Sequence, residues 1–277
     1  HRPHMDQSFC LSIFKTKKFK HPINLRTVFG SSLLLISLCL VACQENEVPN
    51  PMQPPQITYD TADHRPWDQL LQQYVNAVGD VDYNGLKSEQ TKLNNYLDHL
   101  QNFPPLPEWS ANREMAYWIN LYNAFTVKAI VDDYPINSIL DLDSSRIWTT
   151  RMVASGTQFY TLDQIEKDNL LAKFNEPRVH FVVNCAAASC PPLLNKAFTT
   201  YNLQQYYEQL TNAFINDTTY NTITTNNLDL SKIFDWYADD FGGAANLRAY
   251  VQPYTMVAID TGAVIGFKNY DWALNAQ

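Results

Sequence analysis

The chain has 277 residues, 45% hydrophobic and 13% aromatic, with 20 Lys and Arg against 28 Asp and Glu for a formal net charge of −8. That is ample apolar mass for one globular domain with a real core. The acidic balance, with no basic stripe interleaved with aromatics, excludes nucleic-acid binding, which needs clustered Lys and Arg against the phosphates.

The first element in chain order reads as a leader. Lys15, Lys17, Lys18, Lys20 and Arg26 precede the apolar run VFGSSLLLISLCL at 28–40, which is too short to span a bilayer comfortably and ends in LVAC, residues 40–43. This ending resembles the bacterial lipobox. It implies that residues 1–42 are a signal peptide cleaved before Cys43, and that Cys43 carries lipid on its thiol and an acyl group on its new amine. Two or more chains make a lasting membrane anchor, where one alone is marginal. Gln44 is not the aspartate that retains lipoproteins at the inner membrane, so the expected location is the bacterial cell envelope, on the outer membrane facing the periplasm.

Setting 1–42 aside removes six of the 20 basic and one of the 28 acidic residues; 14 and 27 remain, net −13. Such a domain does not lie flat on anionic lipid. Of the five cysteines, Cys10 and Cys39 leave with the signal and Cys43 is lipidated, so only Cys185 and Cys190 remain, in a compartment where disulfides persist. Residues 44–66 hold five prolines and no periodic apolar pattern, and read with Cys43 as a tether. At ~3.1 Å per residue it reaches on the order of 70 Å.

The globular domain is expected over 67–277. Trp67, Leu70, Leu71, Tyr74, Val75 and Val78 form a helical stripe ended by Gly79, VDYNGL at 81–86 reads as a turn, and 87–103 as a second helix stopped by Pro104 and Pro105. A third helix runs over about 112–132 to Pro135. Residues 146–161 read as a hairpin turning at Ser155-Gly156, and Thr161 with Gln164 forms a capping box for a helix over 162–173. RVHFVVN at 178–184 alternates as a strand. A helix at 202–216, a strand and turn near 221–230, a helix capped by Ser231, a short helix before Pro253, and strands near 255–260 and 263–267 complete an α+β domain, helices packed on a small, mainly antiparallel sheet.

RVHFVVNCAAASCPPL carries the chemistry. Pro191-Pro192 favours a helix start, which would place Cys190 where the dipole and free N–H groups lower a thiol pKa. Three readings compete for the pair: a Cys185–Cys190 disulfide, a nucleophilic cysteine with His180 as base, and a redox dithiol. Zinc held by His180, Cys185 and Cys190 lacks a fourth ligand and matches no standard spacing, so no metal and no cofactor are assigned. Glu166 lies on the preceding helix. The acidic pairs Asp239-Asp240 and Asp141-Asp143 read as caps and loops.

The helix AYWINLYNAF at 116–125 is apolar and aromatic, yet holds Asn120 and Asn123 at i, i+3. A buried amide must be paired, and an irregular buried segment is its natural partner. The expectation is that Asn120 and Asn123 hold the thiol turn at 184–190, with Asn184 beside it.

YWINLYNAF, LDQIEK, RVHFVVNCAAASCPPL, LSKIFDWYADDF and YDWALN occur in one order across about 80–275. Together they resemble the bacterial branch of the family called domain of unknown function 547. The resemblance implies functional patches at Trp118, Asn120, Tyr122 and Asn123, and at His180, Cys185, Ser189, Cys190 and Pro191. The family's I-E-H segment is matched by Ile165 and Glu166, but Lys167 replaces its histidine, which puts in doubt any activity that used it. Some members carry serine at the place of Cys190, against an indispensable nucleophile there; some are fused to glutaredoxin-like modules, which points to thiol redox chemistry. A looser analogy is to papain- and transglutaminase-like layouts, with a central helix against a histidine-bearing strand.

Three functions follow as expectations. The first is a thiol-dependent hydrolase or transferase on envelope peptides or amides, using Cys190 or Cys185, His180 and Glu166, with Asn120, Tyr122, Asn123, Asn184 and Ser189 lining the site. The second is a non-catalytic binding or scaffold lipoprotein stapled by Cys185–Cys190, its partner an envelope peptide, small molecule or protein. The third is an envelope thiol–disulfide oxidoreductase.

Overall fold

Trp67, Leu70, Leu71 and Tyr74 recur at helical spacing and are all buried, so α1 (Arg65–Tyr74) lays one apolar stripe on the core. The computed structural model describes residues 62–277; the predicted signal peptide, Cys43 and most of the tether lie outside the described residues. The segment expected to be a turn is α2 (Tyr83–Ser88): the Asp82 side chain accepts the Gly85 N–H as an N-cap, and Tyr83 and Leu86 are buried. α3 (Gln90–Asn102) follows, then α4 (Ala111–Asp133), capped by Ser110. Every residue from Met115 to Val127 is buried, so α4 has no solvent face there. It is the hub on which α2, α3, α7 and the helix at 162–172 pack.

After α5 (Ile147–Thr150) the hairpin is β1 (Met152–Ser155) with β2 (Gln158–Thr161). Its turn lies at Gly156-Thr157, one residue later than expected, with Gly156 at φ 61°. The capping box of Thr161 and Gln164 opens α6 (Leu162–Gln164), which continues as a π-helix over Ile165–Ala172. α7 (Leu203–Asn216) precedes β3 (Thr222–Ile223) and β4 (Asn227–Leu230). Next come α8 (Ile233–Trp236), a 3-10 turn over Ala238–Phe241, α9 (Leu247–Val251) and β5 (Val264–Phe267).

The domain is α+β, but its strands form a separate two-stranded hairpin and a three-stranded mixed sheet, β3–β4 antiparallel and β4–β5 parallel. Residues 255–260 are not a strand. Among the described residues no helix is long and apolar enough to cross a membrane.

The most consequential difference lies at 178–184. The alternating apolar pattern predicts a strand; the structure has a 3-10 turn, Pro177–Phe181, started by Pro177 and by Glu176, whose side chain accepts the Arg178 N–H. Among the described residues no strand lies alongside to supply ladder bonds. The Asn123 amide takes that role: its Nδ2 donates to the Val182 carbonyl at 2.9 Å and its Oδ1 accepts the Asn184 N–H at 2.8 Å. This turn stands where two cores meet. Val179 belongs to the larger cluster around α1–α4, Phe181 to the smaller one of Phe214, Leu228, Phe234 and Phe241.

Candidate dithiol site

Residues 184–190 fold as a partly buried, irregular turn fixed from three sides. From α4, Asn123 holds its entry, as above. From within, Asn184 Oδ1 accepts the Ala186 N–H at 2.9 Å and its Nδ2 donates to the Pro191 carbonyl at 2.8 Å. That closure puts Ala186 at φ 60°, a left-handed conformation that strains a non-glycine residue. From the C-terminal segment, the Ala273 and Asp271 carbonyls accept the Ala188 and Ser189 N–H groups at 2.7 and 3.1 Å. Ser189 Oγ in turn accepts the Asp271 N–H at 2.8 Å, so Ser189 is a fastening. The turn also needs room: a Cβ on Gly79 (φ 88°) would sit 2.5 Å from Pro192 Cβ, so only glycine lets 191–193 pass there.

Asn120 does something else. Its Nδ2 donates to the Phe198 carbonyl at 2.8 Å and its Oδ1 accepts the Phe198 N–H at 3.0 Å. It fixes the chain after the turn, whereas Asn123 fixes the turn itself.

Cys185 and Cys190 are not joined, so the Cys185–Cys190 bridge, one of the three readings of the pair, is not formed in the structure. They are adjacent all the same: the Cys185 N–H donates to Cys190 Sγ at 2.8 Å. Cys190 is buried and Cys185 half-buried. No helix follows Pro191, so Cys190 has no dipole to lower its pKa; burial, then the neighbouring Cys185, push its thiol well up. Cys185 Sγ lies 3.1 Å from the Tyr270 hydroxyl. Burial, then the two thiols, raise the Tyr270 phenol, which keeps its proton available to Cys185 Sγ.

His180 is not hydrogen-bonded to either thiol. Its Nε2 pairs with Asp240 at 2.8 Å, its Nδ1 lies 3.9 Å from Glu166, and Tyr237 covers its ring at 4.1 Å between centroids. Glu166 is buried and accepts the Tyr122 hydroxyl at 3.3 Å. His180, Glu166 and Tyr122 thus form a cluster of their own. Lys167, where the family resemblance led one to expect histidine, is exposed and paired with Asp163 at 2.8 Å, outside that cluster. Among the described residues no group of three or more His, Cys, Asp or Glu is arranged to hold a metal ion.

Sequence reasoning passed over Tyr270, Trp236 and Trp272, and read Asp240, the partner of His180, only as a cap or loop residue. Trp236, Tyr270 and Trp272 contact one another with ring centroids 4.5–5.8 Å apart, and Tyr270 carries the cluster to Cys185 through its hydroxyl. Their signal was present: all four lie in LSKIFDWYADDF or YDWALN. The first motif serves both clusters, Asp240 and Tyr237 on His180 and Trp236 on the thiol side.

Residues 106–215 match the model of a family described as a protein of unknown function, DUF547. That region holds α4, the π-helix, the turn bearing His180 and both thiols, but not Tyr270 or Asp240. No curated protein and no solved structure matches the chain significantly.

Proposed function

We propose that this chain, which over residues 106–215 belongs to the DUF547 family, is a thiol–disulfide oxidoreductase held at a bacterial envelope membrane by lipid on Cys43. One observation carries the reading: two unbridged, adjacent thiols in one turn, the Cys185 N–H on Cys190 Sγ, with Cys185 half-buried beside a phenol and Cys190 buried. This asymmetry suits an attacking and a resolving thiol.

In the reducing direction the Cys185 thiolate attacks one sulfur of a substrate disulfide, forming a mixed disulfide and expelling the other sulfur as thiolate. Cys190 then attacks Cys185 Sγ and gives up its proton, which goes to a departing thiolate. The substrate leaves as one thiol and one thiolate, which takes its proton from solvent, and the chain keeps a Cys185–Cys190 disulfide. A dithiol reductant resets it by the reverse exchange. The reaction runs the other way when the partner is the better reductant.

Tyr270 supports the first step by donating to the thiolate. The high pKa of Cys190 keeps it protonated until Cys185 is in the mixed disulfide. The hydrolase reading has less support, because the ring of its expected base faces Asp240 and Glu166. An Asn123 helix with a nearby histidine keeps the papain-like analogy open only as a layout, since the histidine is on a 3-10 turn.

Thiol titration of the full chain, native and denatured, with intact mass, tests the proposal. Reduced protein is expected to show one thiol reacting fast in the native state. Equilibration with dithiol buffers of graded potential should convert it reversibly to a form two mass units lighter. A bridge that opens only on unfolding would make the pair a staple, and thiols that never bridge would refute exchange.

A further inference from the structure

Trp236, Tyr270 and Trp272 are each half-buried, so the cluster is partly open to solvent, and Tyr270 joins it to the half-buried Cys185. The Trp236–Tyr270 and Tyr270–Trp272 centroids are 4.8 and 4.5 Å apart, and Trp236 stacks on Trp272 at 5.8 Å with 26° between planes. Trp148, buried, backs Trp272 edge-on at 5.8 Å. Aromatic rings left partly open in a cluster, on a rigid support, make contact surfaces of high energy per residue.

The surrounding charge gives the surface a sign. Segments 232–240 and 268–272 contain four carboxylates, Asp235, Asp239, Asp240 and Asp271, against two ammonium groups. Both ammoniums are engaged, Lys232 with Asp235 at 2.6 Å and Lys268 with the Thr218 carbonyl at 2.6 Å; Asp235 and Asp240, which pairs with His180, are engaged as well, which leaves Asp239 and Asp271 as the rim. Asp239 and Asp271 are exposed. Ring faces, themselves electron-rich, and a carboxylate rim both attract cations, and the rings also stack on planar groups.

Resting on the oxidoreductase reading, we infer that Trp236, Tyr270 and Trp272 form a substrate subsite. It selects polypeptide cysteines flanked by an aromatic and a cationic residue, and disfavours acidic thiols such as glutathione. Tyr270 links the two functions, its ring in the subsite and its hydroxyl on Cys185 Sγ at 3.1 Å.

The test uses the full chain, reduced and freed of reductant, and three disulfides: two cystine-linked peptide dimers identical except that the cysteine is flanked by Trp and Arg in one and by Ser and Glu in the other, and neutral dithiodipyridine. The Trp/Arg peptide is expected to be reduced about tenfold faster at low substrate, the size of one or two cation–π contacts. The preference should shrink as salt is raised. Its Cys→Ser version should quench the tryptophan fluorescence without any exchange, and Trp236→Ala should bring the rate ratio toward one. Equal rates for the two peptides, with dithiodipyridine still reduced, would overturn the subsite and leave the exchange reading standing. No reduction of any of the three would overturn both. The ratio is measured on unaltered protein, so it holds whether or not the variant folds.

Discussion

Asn123 is the residue on which most of the site depends. Its single amide satisfies a carbonyl and an N–H of buried backbone that has no ladder partner. Replacing it by alanine leaves both groups unpaired, at about 1–3 kcal/mol each before relaxation. Asn123→Ala is therefore expected to lower unfolding stability by about 2–4 kcal/mol in urea melts and to raise native reactivity at Cys190. A loss below about 1 kcal/mol would mean the turn holds itself. Tyr270 is the residue closest to the chemistry. Tyr270→Phe keeps the ring and removes the donor to Cys185, so the native reaction of Cys185 with a thiol reagent at neutral pH should slow by about tenfold, one hydrogen bond's worth. An unchanged rate in stopped flow would show that the phenol does not stabilise the thiolate.

At the scale of elements, the start of α1 is fastened to α3 by two neutral histidines. The Asp63 N–H donates to His99 Nε2 at 2.7 Å, and His64 Nδ1 pairs with the Tyr96 hydroxyl at 2.8 Å. Burial lowers His64 from 6.5 to about 4, and lowers His99 as well. The folded state thus binds these protons less readily than the unfolded chain. The stability they contribute is fully present above about pH 6.5 and is lost as pH falls through 6.5 toward 4. His64→Gln should flatten this slope when urea midpoints are compared at pH 7 and pH 5; an equally steep slope in the variant would place the dependence elsewhere. The 3-10 turn at Pro177–Phe181 teaches a related point. Its alternating valines fit a strand, but a strand exists only where another offers its ladder, and here α4 came alongside instead.

Over the whole molecule, the site is closed by chain remote in sequence. Asn275 accepts the Tyr83 hydroxyl at 2.7 Å, and its backbone N–H donates to the Ala186 carbonyl at 3.2 Å. Residues 271–275 thereby tie the thiol turn to α2. Ending the chain at Tyr270 should expose Cys190 to thiol reagents in the native state, where the full chain protects it; continued protection would show that α4 alone secures the turn.

The sequence by itself determined the helices, because period and caps are local: α1, α3, α4 and α7 stand within a few residues of their expected bounds. It also marked the thiol turn and the need for partners at Asn120 and Asn123, since a buried amide announces itself by type. Only the tertiary structure decided which partners those were, set His180 with Asp240 and Glu166 and not with a thiol, and brought Tyr270 to Cys185. Apart from His180 with Glu166, those pairings join residues 59 to 85 positions apart, and no local spacing encodes a contact that depends on how α4, the turn and the C-terminal segment pack together.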